Sequence, residues 1–384
     1  MRSTFSKRTF LLFFIIVVPL FLNLNISGGL RFDASPFNFL GMPSLPLMLI
    51  LFSGLAVLNI LNFRFKTSEL VFIFLVLFTL FLSFTVNQNM RSVLLAFGMV
   101  LPLFFMQLFV SLLKIAKVDF ENVDFVSHFY TAISAMILIK FTTDVAFFGT
   151  VYSEYFVFSN IVIYNSFDYF PAVYILAIVL SVNNLYEKKL EKLSVLVIGV
   201  SLICSVMSYS RLFAVLAVVA VPTYIVIRSL QLRSGQIALV TSMFSIAVTI
   251  GVALLALNTT DQSLITRFSH WYSFFSSFEA LDVIFPFWNA YRIEMSWGTF
   301  HNELLEIYSY YGFIFFMYLY ILSNVFTSSG EYRYTLVTLL FFFLIGGLIQ
   351  LNLTNPYVAL IISALCSSIK CNEIGRESRV EATE

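Results

Sequence analysis

Twelve long apolar runs follow one another along the 384-residue chain, and short polar stretches separate most of them. The runs lie near residues 10–24, 43–61, 69–86, 92–113, 125–141, 169–185, 193–208, 211–227, 236–257, 303–325, 335–351 and 357–369. A helix that crosses a bilayer needs about 20 mostly apolar residues, so each run is a candidate span. We therefore expect an all-α, polytopic membrane protein with about 12 transmembrane helices, folded as a single integral membrane domain over residues 1–384.

Composition supports this expectation. Hydrophobic residues make up 60% of the chain and charged residues 11%, and the mean hydropathy is +0.92. Soluble globular domains carry about 25% charged residues, so the chain lies well outside their range. Because the apolar runs occupy most of the length, little chain remains for a separate soluble domain.

The basic residues are distributed unevenly between the two sides of the predicted membrane. If the runs alternate from a cytoplasmic N-terminus, sixteen of the 22 lysines and arginines fall on the cytoplasmic side. Such an excess is typical of cytoplasmic loops. We expect both termini to be cytoplasmic and the first run to be a retained span, because no small-residue cleavage site follows it.

One connection is much longer than the others. Residues 258–300 form a predicted periplasmic loop that contains all three tryptophans, Trp271, Trp288 and Trp297. Loops longer than about 15 residues are usually functional or disordered, and a segment this aromatic is unlike disordered chain. We expect the loop to fold over the outer face of the membrane.

Three arginines on the predicted outer side suggest a ligand. Arg211 joins two apolar runs with almost no linker, and Arg267 and Arg292 lie in the long loop. An ionisable group near the membrane costs a few kcal/mol unless it finds a partner. A guanidinium binds phosphate oxygens bidentately and stays charged at any working pH. The three arginines therefore predict a site for a pyrophosphate attached to a lipid.

Three short segments resemble a known family. They are SYSRLF at 208–213, RFSHW at 267–271 and FHNELLEIYSYYG at 300–312, and together they are similar to the O-antigen ligase and polymerase superfamily of bacterial glycan assembly. In the ligase-type pattern a His-Asn pair is followed by nine residues and a glycine, as His301, Asn302 and Gly312 are here. Val215 stands where that pattern has leucine.

The resemblance implies a glycosyltransferase that uses undecaprenyl-pyrophosphate-linked glycans at the periplasmic face of the bacterial inner membrane, without cofactor or metal. A polymerase joins repeat units, and a ligase transfers the glycan to lipid A-core. The aromatic content of 18% and the departure at Val215 favour the polymerase, with the ligase as an alternative. Expected partners are the lipid-linked glycan, the lipid bilayer and a protein that regulates chain length; nucleic acid is not expected.

The resemblance also implies roles for individual residues. In this chemistry the pyrophosphate leaves with growing negative charge, which Arg211 and Arg267 would stabilise. His301 would be the general base, since the start of a helix disfavours its charged form. Glu303 and Glu306 remain alternative bases or orienting groups.

Further residues are candidates for substrate binding. Asn302 lies four residues before Glu306, on the same side of a helix. Arg292 would add a contact to the pyrophosphate, and Trp271 would pack against a sugar.

A transporter of the same lipid-linked sugar is the competing hypothesis from another class. Transporters usually carry charges in several spans and show repeated halves, whereas here the polar residues gather towards one predicted face. The chain contains no Asp-x-Asp pair, no Walker-type glycine-rich loop, no Gly-x-Ser-x-Gly elbow and no zinc-type spacing. These absences argue against nucleotide-sugar enzymes, ATP-driven pumps, lipases and zinc sites.

Overall fold

The computed structural model describes residues 24–26, 63–87, 90–115, 124–148, 161–163, 169–207, 211–241, 243, 265, 269, 303–328, 330–347 and 356–381. Within these residues the fold is all-α apart from one short ribbon. Ten helices have defined bounds: α1 Thr67–Asn87, α2 Met90–Ile115, α3 Phe125–Phe148, α4 Tyr169–Tyr186, α5 Glu191–Met207, α6 Arg211–Ser229, α7 Glu303–Tyr311, α8 Ile314–Val325, α9 Arg333–Gly347 and α10 Pro356–Glu381. A further helical stretch begins at residue 234.

The ribbon consists of two antiparallel strands, β1 Leu24–Ile26 and β2 Ile161–Ile163, with Asn25 opposite Val162. It joins the chain after the first apolar run to the segment before α4. The apolar pattern of the sequence did not indicate this extended backbone.

Helix α4 is the central helix of the bundle. Every residue from 172 to 184 is buried, and the helix packs against α3, α5, α6, α9 and α10. A helix that is apolar on all sides is one that other helices surround. The sequence of α4 between Ala172 and Leu180 has no polar side chain except Tyr174, and this explains its central position.

Polar contacts fix the alternating directions of the helices. The hydroxyl of Tyr130, near the start of α3, lies 2.7 Å from the Ser181 hydroxyl near the end of α4 and 3.2 Å from that of Ser194 near the start of α5. Helix ends that are adjacent in this way require α4 to run opposite to α3 and α5. Tyr224, near the end of α6, donates to Asn183 of α4 at 2.8 Å, so the ends of α4 and α6 are neighbours.

These contacts define two ends of the bundle. The basic end contains the end of α4, the start of α5, the end of α6 and the start of α9, with Lys189, Arg228 and Arg333. The far end contains the start of α6 at Arg211. Helix α10 runs parallel to α2, because Ser363 and Ser367 donate to the carbonyls of Pro102 and Met106. Asn372, further along α10, lies at the basic end, so Ser92 near the start of α2 lies at the far end.

Three predicted spans differ clearly from the observed helices, and one of them, the run 125–141, ends seven residues before α3 does at Phe148. The run 303–325 is divided into α7 and α8, because Gly312 has a φ of 51° and interrupts the helix. The run 357–369 is part of a longer helix that continues to Glu381, since Glu, Arg and Lys sustain a helix after the apolar residues end.

The runs 10–24 and 43–61 lie outside the described residues except for Leu24, and so does most of 236–257. Among the helices that the structure does describe, none meets the combined requirement of length and hydropathy for crossing a membrane.

Candidate functional site

The structure describes only part of the predicted site. Arg267, Trp271, Arg292, His301 and Asn302 lie outside the described residues. Arg211 and Glu303 are the first residues of α6 and α7, and their backbones but not their side chains are described. Glu306 is described in full. The expected convergence of arginines and histidine therefore remains a prediction.

Helix α7 brings a carboxylate into the protein interior. Glu306 is only 2% exposed, and it lies one turn after Glu303, the first residue of the helix. The helix packs against α1, α8 and α9. Burial of a carboxylate costs free energy unless the group is hydrogen-bonded. This burial keeps bulk water away from the Glu306 side chain.

The residues after Glu306 anchor α7 to the bundle. The Ser309 hydroxyl donates to the carbonyl of Glu306 at 2.8 Å, and the Tyr311 hydroxyl donates to the carbonyl of Ser92 at 2.5 Å. Tyr311 is buried, so this hydrogen bond joins α7 to the start of α2 across 219 residues of sequence. It holds α7 at the far end of the bundle.

Helix α6 begins at the end of the bundle where α7 ends. Arg211 begins α6 about 25 Å from the basic end, given a rise of 1.5 Å per residue up to Arg228. Helix α7 begins before the contact between Tyr311 and Ser92, and α8 then runs towards the basic end. Helix α9 packs against both α6 and α7.

Sequence reasoning missed a polar network at the basic end. Lys189, in the turn between α4 and α5, forms an ion pair with Glu331 in the connection before α9, at 2.6 Å. The ammonium group also lies 4.0 Å from Asp124, just before α3. We name Lys189, Glu331 and Asp124 the three-loop cluster, because each residue comes from a different connection.

Asp124 is also the N-cap of α3. Its carboxylate accepts hydrogen bonds from the Ser127 amide at 3.1 Å and the Ser127 hydroxyl at 2.7 Å, and from the Asn372 side chain at 2.9 Å. Burial acts to raise the pKa of Asp124, but the hydrogen bonds from Ser127 and Asn372 and the charge of Lys189 outweigh it and lower the pKa. The carboxylate is therefore ionised at neutral pH.

A second group of polar side chains surrounds Arg228. Its guanidinium contacts Glu187 at 3.3 Å and the Tyr224 hydroxyl at 3.2 Å. It also lies 4.5 Å from the ring centre of Tyr186, within the range of a cation–π interaction. Because its charge is balanced by Glu187 and it also donates to Tyr224, Arg228 links the segment after α4 to the end of α6.

Neither group of residues at the basic end has the composition of a catalytic site. The charges are paired within the fold, and no group of histidines, cysteines or acidic residues in the described ranges could hold a metal ion. In the sequence, this network was indicated only by the concentration of lysine and arginine between the apolar runs. The pairing itself joins residues up to 248 positions apart, which no local pattern reveals.

Comparison with known proteins adds no relative: no family model, no curated protein and no solved structure matches the chain.

Proposed function

We propose that this chain is a membrane glycosyltransferase that polymerises lipid-pyrophosphate-linked oligosaccharide repeat units, as an O-antigen polymerase does. The observation that carries the proposal is the set of three segments SYSRLF, RFSHW and FHNELLEIYSYYG, with their arginines and histidine. Two of these segments lead into α6, which begins at the far end of the bundle, and into α7, which ends there at Tyr311. A site that both segments share requires the two helices to reach the same end of the bundle.

Exposed apolar side chains support the proposed location in a membrane. On α1, Phe74 is 65% and Phe81 is 66% exposed, and further exposed apolar residues lie one helical turn apart on the same face: Leu70, Leu77 and Phe78. Exposed apolar surface of this extent is unfavourable in water, and it marks contact with lipid or protein. Helices α5 and α6 carry similar residues, Val195, Val206, Val215 and Val218.

The separation of charge also supports the proposed orientation. The basic end carries Lys188, Lys189, Lys192, Arg228, Arg233 and Arg333, which agrees with a cytoplasmic location. The far end then faces the periplasm, where the lipid-linked donor is presented.

The proposed reaction is a single displacement at the anomeric carbon of the donor. The acceptor hydroxyl oxygen forms a bond to that carbon, and the bond from the carbon to the pyrophosphate oxygen breaks. The electron pair leaves with the lipid pyrophosphate, whose charge Arg211 and Arg267 stabilise. The proton of the acceptor hydroxyl passes to His301.

The purified full-length protein in detergent tests this proposal when it is given lipid-linked repeat units. Glycan chains longer than one unit are the expected product. Units that remain unjoined without an acceptor, but pass to lipid A-core when it is supplied, would establish a ligase instead. Units that are never joined, but cross the bilayer of proteoliposomes containing the protein, would establish a transporter.

A further inference from the structure

Two arginines at the basic end are left without an acidic partner, unlike Arg228 and Lys189. Arg333 begins α9, and its guanidinium donates to the carbonyl of Gln231 at 3.5 Å and lies 5.4 Å from the ring centre of Tyr334. Arg233 lies two residues after Gln231 and is exposed. Among the described residues, no carboxylate lies within ion-pair distance of either guanidinium.

The fold keeps these two arginines close to each other. The turn that follows α6 places Gln231 at a φ of 50°, which reverses the chain before the helical stretch that begins at residue 234. The hydroxyls of Ser234 and Thr327 lie 2.7 Å apart. Both the Gln231 contact and this hydrogen bond join the turn after α6 to the connection between α8 and α9, so Arg233 and Arg333 belong to one local surface.

Exposed apolar side chains flank Arg233 along the sequence. Leu230 precedes Arg233 in the turn, and Leu239, Val240 and Met243 follow it on the helical stretch; all four are exposed. Their spacing of three and four residues from 239 to 243 places the last three on neighbouring positions of one helix face. The surface therefore combines two uncompensated positive charges with an exposed apolar strip.

We propose that Arg233 and Arg333 bind the phosphodiester headgroup of an anionic phospholipid, whose acyl chains lie along Leu230, Leu239, Val240 and Met243. Charge complementarity selects an anion, and the guanidinium fork suits phosphate oxygens. The adjacent apolar strip selects a lipid over a free phosphate. The inference rests on the membrane location proposed above, but it is independent of glycan chemistry.

The test uses the purified full chain in a neutral detergent, titrated with phosphatidylglycerol or with phosphatidylcholine while its thermal unfolding is followed. Phosphatidylglycerol is expected to raise the unfolding temperature more than phosphatidylcholine does. A basic residue near an anionic surface contributes about 1 kcal/mol. The double variant Arg233→Gln/Arg333→Gln is therefore expected to bind phosphatidylglycerol roughly thirty-fold more weakly.

The matched control is Lys188→Gln/Lys192→Gln, which removes two charges from the same end without touching the proposed surface. It is expected to keep the phosphatidylglycerol response. Equal losses in both double variants would mean a diffuse charge effect and overturn the proposal. Equal stabilisation by inorganic phosphate would overturn the assignment to a lipid.

The single variant Arg233→Gln provides a second measurement if the double variant does not fold, because this side chain has no hydrogen bond within the described part of the chain. A partial loss of the phosphatidylglycerol response is expected, and an unchanged response would overturn the proposal. If the protein does not polymerise glycans but still responds to phosphatidylglycerol, the proposed function is wrong and the lipid site stands.

Discussion

The ion pair between Lys189 and Glu331 joins two connections that are 142 residues apart in the sequence. The Glu331 side chain is only 12% exposed, and that of Lys189 is 34% exposed. Ion pairs on open surface contribute little, but a carboxylate that is largely withdrawn from water depends on its partner. This pair is therefore more than a surface contact, and it orders the basic end.

Replacement of Lys189 by Met is expected to lower the free energy of unfolding by about 1–3 kcal/mol, because Glu331 loses its charged partner. Denaturant unfolding in detergent measures the change. Lys192→Met is the control, since Lys192 is exposed and forms no ion pair among the described residues. In the double variant Lys189→Met/Glu331→Gln part of the loss should return, and strictly additive losses would contradict the pairing.

Asp124 predicts a pH dependence at the same end of the molecule. Its folded pKa lies below the ordinary value of 3.8, so ionised Asp124 stabilises the fold above that value, and the contribution is lost as the pH falls towards the folded pKa. Asp124→Asn should keep the helix cap but remove this charge. Unfolding measurements between about pH 7 and pH 3 should show a stability difference from the wild type that shrinks below about pH 4. A stability difference between the variant and the wild type that grows on acidification would contradict the stabilisation of ionised Asp124 by Ser127 and Asn372.

At the scale of elements, the break between α7 and α8 depends on one glycine. Gly312 has a φ of 51°, a conformation that costs other L-residues about 1–2 kcal/mol. Gly312→Ala is therefore expected to destabilise the protein by about 1 kcal/mol or more, as measured by unfolding. Gly199→Ala in α5 is the matched control, because a Cβ there meets no atom within 4 Å. It should be neutral or stabilising by up to about 1 kcal/mol, and equal losses in both variants would be inconsistent with a role for φ.

The apolar pattern predicted most of the described helices well. The runs 69–86, 92–113 and 169–185 differ from α1, α2 and α4 by three residues or fewer at each end. It did not predict the break at Gly312, because Tyr308 to Phe316 is nearly continuous in aromatic and apolar residues. It also did not predict the polar end of α10, where helix propensity and not hydropathy sustains the helix.

The residues of the predicted site could be proposed from the sequence, whereas the polar network at the basic end could not. Arg211, Glu303 and His301 are recognisable because they interrupt apolar sequence within short motifs. The three-loop cluster could not be recognised, because Asp124, Lys189 and Glu331 are ordinary loop residues until the fold brings them together. The burial of Glu306 agrees with its position inside the predicted apolar run 303–325.

For the whole molecule, the two ends of the bundle are expected to face opposite sides of the membrane. Lys188→Cys lies at the basic end and Asn87→Cys at the far end, while all three native cysteines are buried. A membrane-impermeant maleimide should label Asn87→Cys on intact spheroplasts, and Lys188→Cys only after the membrane is broken. Equal labelling of both variants on intact spheroplasts would contradict the proposed orientation.

The central claim is that an arginine from the start of α6 and a histidine from the start of α7 act on one lipid pyrophosphate at the far end. The most direct test is the rate of glycan chain growth by the purified variants Arg211→Ala and His301→Ala, each checked for wild-type unfolding. Loss of a general base typically lowers a rate by about 10²–10⁴-fold, and we predict a loss of at least this size for both variants. A correctly folded His301→Ala or Arg211→Ala protein that elongates glycans at the wild-type rate would contradict the claim.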